Sequence, residues 1–173
     1  MIKMGEGTVG GLRNHVYFMF EGTPGEANIT IGNYCSLGPD ITLIPKGNHP
    51  LTNPSTYPFG TRMGVQKDYE VALGGDIVIG HDVWIGTRAV LLGPCNIGHG
   101  AIIGANTVIT KDIPPYAVVV GSPPRILKYR FEPDVVEALL EIQWWNWPPA
   151  IVQMRWEELQ GDINEFVRRY RGY

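Results

Sequence analysis

The sequence predicts an all-β fold, a parallel β-helix with three walls to a coil, and three observations lead there. A branched aliphatic residue recurs at every sixth place, at Ile79, Ile85, Leu91, Ile97, Ile103 and Ile109, and in the same phase earlier at Ile31, Leu37 and Leu43. Glycine follows it at Gly80, Gly86, Gly98 and Gly104. A second slot, four residues after each aliphatic, takes Cys35, Ile41, Val83, Ala89, Cys95, Ala101, Thr107 and Ile113. A period of six matches neither the 3.6 of a helix nor the alternation of a strand, but it suits short walls separated by corners. In such a prism each wall pairs with those above and below at about 4.8 Å. The aliphatic residue points inward, and the glycine helps the corner.

In chain order, residues 1–28 read as an N-terminal lead and residues 29–125 as the β-helix, interrupted by an inserted loop over 44–75. The rhythm is lost after Leu43 and returns near Leu73, with Pro45, Pro50, Pro54, Pro58 and Gly60 between them. Loops this long inside compact domains tend to be functional. This one carries aromatic and turn residues, as in GNHPLTNPSTYPF from Gly47 to Phe59, and is not low-complexity filler. Residues 126–173 read as a helical cap for the prism's open end. Pro133 suits a first helical turn, and Val135, Val136, Leu139, Leu140 and Gln143 have helical spacing up to Trp144, Trp145, Trp147 and Pro148. A second helix is expected to open at Asp162, with Glu165 three residues on and Ile163, Phe166, Val167 and Tyr170 along one face. The tryptophans are expected to pack on the prism or on a sister subunit.

At 173 residues and 44% apolar, the chain suits one domain with a short appendage. A net charge of -3 without a basic run argues against a nucleic-acid partner. The opening MIKMGEGTVGG has no long apolar core, and no run of about eighteen apolar residues could span a bilayer, so no membrane partner and a cytoplasmic location are expected. Cys35 and Cys95 lie in inward slots and read as core, neither ligands nor nucleophiles.

Several stretches together carry a family resemblance. They are IGNYCSLGPD at 31–40, the loop with GNHP and STYPF, IGHDVWIG at 79–86, IGANTVITKDIPPYAVVVGSPPRIL at 103–127 and ALLEIQWWNW at 138–147. The chain resembles the hexapeptide-repeat acetyltransferases over roughly residues 29–155, and among them the type B chloramphenicol and streptogramin, or xenobiotic, branch. The resemblance implies a left-handed coil, against the usual right-handed crossover rule. It implies acetyl-CoA as co-substrate, no metal, and a homotrimer with sites shared between subunits. It implies direct transfer to a hydroxyl of a small acceptor, an antibiotic or a sugar, with an amino-sugar nitrogen as a further acceptor.

Four histidines compete for a role. His81 and His99 follow the corner glycine, where side chains are expected to leave towards solvent, and His15 has no motif around it. His49 matches the family's catalytic histidine. An alcohol is a feeble nucleophile towards a thioester until a base takes its proton, and an imidazole of pKa near 6.5 suits neutral pH. The resemblance implies that Trp84, Ala105, Thr110 and Lys111 hold the pantetheine arm, and that Arg125 and Lys128 face the nucleotide phosphates. Tyr34, Asp40, Asn48 and Tyr57 are near enough in sequence to orient the acceptor. A distant alternative is a zinc protein of the carbonic anhydrase type, with His81 and His99 among its ligands.

Overall fold

The computed structural model describes residues 1–10, 15–16, 27–45, 49, 51–65 and 74–172. In chain order the strands are β1 (Ile2–Met4), β2 (His15–Val16), β3 (Ile29–Ile31), β4 (Ser36–Leu37), β5 (Thr42–Ile44), β6 (Ile77–Ile79) and β7 (Trp84–Ile85). They continue as β8 (Val90–Leu92), β9 (Cys95–Ile97), β10 (Ile102–Ile103), β11 (Val108–Ile109), β12 (Ala117–Val120) and β13 (Arg125–Tyr129). They assemble into three walls. The first is β1-β3-β6-β9, the second β4-β7-β10-β12 with β13 at its end, and the third β2-β5-β8-β11. Every pairing is parallel except that of β12 with β13. Successive coils are offset by 18 residues, as in His81 against His99. Three walls of six residues make that coil.

The aliphatic phase fills the column. Ile79, Ile85, Leu91, Ile103 and Ile109 are all fully buried, and Ile29, Cys35, Ile77, Ala89, Cys95 and Ala101 take the second slot beside them. Burial pushes the Cys35 thiol up and the Cys95 thiol up to about 12, so neither is a ready thiolate.

The glycines serve the corners by a different means from the one expected. Gly80 and Gly86 do not need positive φ. They need room, because a Cβ on Gly80 would fall 2.8 Å from the His99 backbone nitrogen, and one on Gly86 2.6 Å from that of Ala105. The left-handed turns fall two residues later, on Tyr34, Asp40, Asp82, Arg88 and Asn106, with φ between 55 and 58°. Each such turn costs a non-glycine residue about 1–2 kcal/mol. Ladder bonds between coils offset it, such as Gly80 N–H to the Ile97 carbonyl at 2.8 Å.

The N-terminal segment is more than a lead. Ile2 pairs with Ile29, Val9 bridges Ser36, and the His15 backbone pairs with Thr42, so it supplies one further coil beneath the first expected one. At the other end, β13 precedes the helices and extends the second wall where a helical cap alone was expected.

Among its described residues the insert contains one short helix, α1 (Phe59–Arg62). The cap comprises α2 (Pro133–Ile142), a 3-10 turn at Trp144–Asn146, α3 (Pro149–Met154), α4 (Trp156–Leu159) and α5 (Ile163–Tyr170). Pro133 opens α2, and Gln143 ends it in the left-handed conformation. Asp162 caps α5, its carboxylate accepting from the Asn164 and Glu165 amides at 2.9 Å. Tyr116, Leu139, Trp145 and Phe166 form the buried centre joining cap to prism. Polar contacts fix the seat: Asn33 donates to the Trp145 carbonyl at 3.0 Å, and Arg130 pairs with Asp82 at 2.9 Å.

His81 and His99 do not leave for solvent. They stack on one another at 5.1 Å and on Trp145 at 5.7 and 4.9 Å. Each spends its Nδ1 as an acceptor, His81 from the Asn33 amide at 2.8 Å and His99 from the His81 amide at 3.0 Å. The cap covers their corner.

Candidate active site

The insert leaves the prism after Ile44 and returns at Ile77. The coils it joins are offset by 48 residues where 18 suffices for the next coil, so some thirty residues are extra. His49 lies in it as an exposed residue. Tyr57 and Phe59 meet edge to face at 4.8 Å, and both are exposed. Asn48 lies outside the described residues, as do its neighbours 46, 47 and 50. A smaller excess sits one coil below. There the offset is 27 residues, so some nine are extra. Both additions fall between the third wall and the first, at the same edge of the prism.

The residues expected to hold the coenzyme divide into two groups. Trp84 pairs with Ile102, Ile102 with Val118, and Val118 with Lys128, one row across the outside of the second wall. Trp84 is 53% exposed and Lys128 is also exposed, with three strand spacings between them, about 14 Å. Arg125 pairs with Val120 on the same antiparallel ribbon, and Ala105 is exposed at the corner leading to the third wall. Thr110 and Lys111 are elsewhere. They follow β11 at the edge between third and first walls, on the same edge as the root of the insert. Within one chain the third wall separates the groups.

Two other candidates are placed differently. Tyr34 packs on Trp144 at 5.3 Å beneath the cap. Asp40 is an exposed corner residue between the second and third walls. Cys35 and Cys95 are both free and buried, as their slots require. Among the described residues no group of three or more His, Cys, Asp or Glu is placed to hold a metal ion. Among them, too, no helix is long and apolar enough to cross a membrane.

For Trp84, Ala105, Thr110 and Lys111 the division follows from the 18-residue repeat, which assigns each position to a wall before any coordinates are known; Arg125 and Lys128 are placed by the antiparallel β13. The Asp82–Arg130 pair has no such signal, because 48 residues separate its members.

Comparison with known proteins gives a consistent picture. The family described as bacterial transferase hexapeptide (six repeats) matches residues 76–111. A chloramphenicol acetyltransferase of Agrobacterium fabrum is 40% identical over 130 residues, 72% of this chain and 62% of that protein. This chain thus spans about three fifths of that relative's length. A virginiamycin A acetyltransferase of Staphylococcus aureus is 40% identical over 149 residues, 83% of this chain and 68% of that protein. A hexapeptide-repeat acetyltransferase from Vibrio cholerae, solved with acetyl-coenzyme A, superposes with a TM-score of 0.57 at 28% identity, covering 76% of this chain and 61% of that one. Likeness to that fold implies a left-handed coil.

Proposed function

From the premise that this chain belongs to the hexapeptide-repeat acetyltransferases, in the branch of the chloramphenicol and virginiamycin enzymes, we propose that it transfers acetyl from acetyl-CoA to a hydroxyl of a small xenobiotic acceptor. His49 is the general base. Its imidazole takes the acceptor's proton as the hydroxyl oxygen attacks the thioester carbonyl, and returns it to the departing thiolate. Backbone N–H groups beside the thioester stabilise the tetrahedral oxyanion. Transfer is direct, because both thiols are buried in the column and held protonated.

The observation that supports this most is the exposed His49 on a long insert that leaves a coenzyme-type prism at one edge. The two groups of coenzyme residues add a requirement. Trp84, Ala105, Arg125 and Lys128 on one chain would complete a site with Thr110, Lys111 and the His49 insert of another. That is the arrangement a closed trimer provides three times over. Arg125 would grip phosphate in two-pronged fashion, and Lys128 as a point charge.

The test is acceptor-dependent release of free thiol from acetyl-CoA, with chloramphenicol, streptogramin A and simple or nucleotide-linked sugars in separate reactions. Turnover with an antibiotic supports the xenobiotic reading. Turnover with a sugar alone moves the acceptor class, and thiol release with none of them removes the proposal.

A further inference from the structure

We propose that a cavity between the last coil and the cap is a second binding site, for a small uncharged ring bearing one hydroxyl. The cavity, of about 190 Å³, is walled by Tyr116 and Asp82 from the prism, Arg130 and Phe131 beyond β13, and Leu139 and Phe166 from the cap. Tyr116 is only 1% exposed, yet its hydroxyl has no hydrogen-bond partner among the described residues. Buried hydroxyls are ordinarily paired, so this one, on a residue that borders the cavity, lacks the partner it would normally have. Burial pushes this phenol's pKa up, which keeps it a neutral donor. Asp82, which borders the same cavity, supplies the complementary acceptor: its Oδ2 accepts from Arg130 at 2.9 Å, and the carboxylate has a second oxygen to offer.

The remaining walls decide the ligand's body. Phe131, Leu139 and Phe166 present apolar surface, and Glu158 also borders the space. A purely apolar cavity of about 150 Å³ stays dry and accepts benzene. Water could serve the polar end here but would leave the aromatic and aliphatic wall unsatisfied. A ring with one hydroxyl serves both: its oxygen accepts from Tyr116, and its proton goes to Asp82 Oδ1. A charged ligand is disfavoured, because Asp82 and Arg130 already neutralise each other. The cavity opens at the corner between first and second walls, away from the edge that carries the insert. The proposal therefore stands or falls independently of His49.

The experiment uses the full chain with phenol as probe and toluene as its hydroxyl-free counterpart, read by calorimetric titration and by thermal melting. Saturable phenol binding that raises the melting temperature is expected, with toluene weaker by about tenfold. Tyr116→Phe should weaken phenol by about tenfold and leave toluene unchanged. If that variant fails to fold, crystals of the unaltered protein grown with phenol decide the matter. Density for a ring between Tyr116 and Asp82 supports the site. Ordered water only, or equal phenol affinity in Tyr116→Phe, overturns it.

Discussion

The prism and its insert use apolar residues in opposite ways. In the walls Ile77, Ile85, Ile103 and Ile109 are fully buried, and the strands carrying the first three are paired with a coil on either side. In the insert Leu51 is 91% exposed and Met63 75%, and the only regular element among its described residues is the four-residue α1. On the proposed function, stability is carried by the walls and the proton transfer by the insert. A wall residue should be costly to the fold, and an insert residue costly only to catalysis.

The largest test of that contrast is His49→Ala. Turnover should fall by at least about a hundredfold, while coenzyme affinity and melting temperature stay at their original values, as general-base loss requires. A matching loss of melting temperature would break the contrast. Next is Ile103→Ala, which removes a fully buried side chain from the middle of the column. Chemical denaturation should show a loss of about 2–5 kcal/mol. Asp162→Ala removes the cap of α5 and should cost about 1 kcal/mol in the same assay. Leu51→Ser, at the exposed end of the comparison, should lie within about 0.5 kcal/mol of the original protein.

Acid sharpens the comparison from the cap side. Burial lowers the pKa of both His81 and His99, and for His81 the neighbouring His99 adds to it. Below the ordinary histidine value of about 6.5 the unfolded chain therefore binds more protons than the folded one, so stability falls as pH drops through that range. Protonation also takes away the Nδ1 acceptors for the Asn33 and His81 amides. The melting temperature should be lower at pH 5.5 than at pH 7.5. His99→Asn should narrow that gap.

Much of the fold is legible in the sequence because each aliphatic residue in the phase from Ile79 to Ile109 faces inward for the same geometric reason, repeated coil by coil. The caps of α2 and α5 are legible too, since Pro133 and Asp162 act on their own backbone neighbours. The first coil is not. Met4, Gly10 and Val16 keep the spacing of six and stand opposite Ile31, Leu37 and Leu43, but only Val16 is a branched aliphatic, so the phase has too few apolar markers to be read from the sequence. His81 and His99 escape the pattern for a related reason. A repeat identifies a corner but not which corner the cap will cover. Of the candidate site, the wall and edge positions of Trp84, Ala105, Thr110 and Lys111 follow from the period, whereas those of Arg125 and Lys128 depend on the antiparallel β13, which the period does not give. The surroundings of His49 do not, because the insert departs from that period altogether.

The row from Trp84 to Lys128 makes the column a ruler. Its graduations are strand spacings, and the separation of an aromatic side chain at one end from a cation at the other is a whole number of them. Splicing in one more eighteen-residue turn between them would lengthen that reach by about 4.8 Å without disturbing a single neighbouring contact in kind. Matching to a longer or shorter molecule could thus be altered by counting turns, with no side chain redesigned.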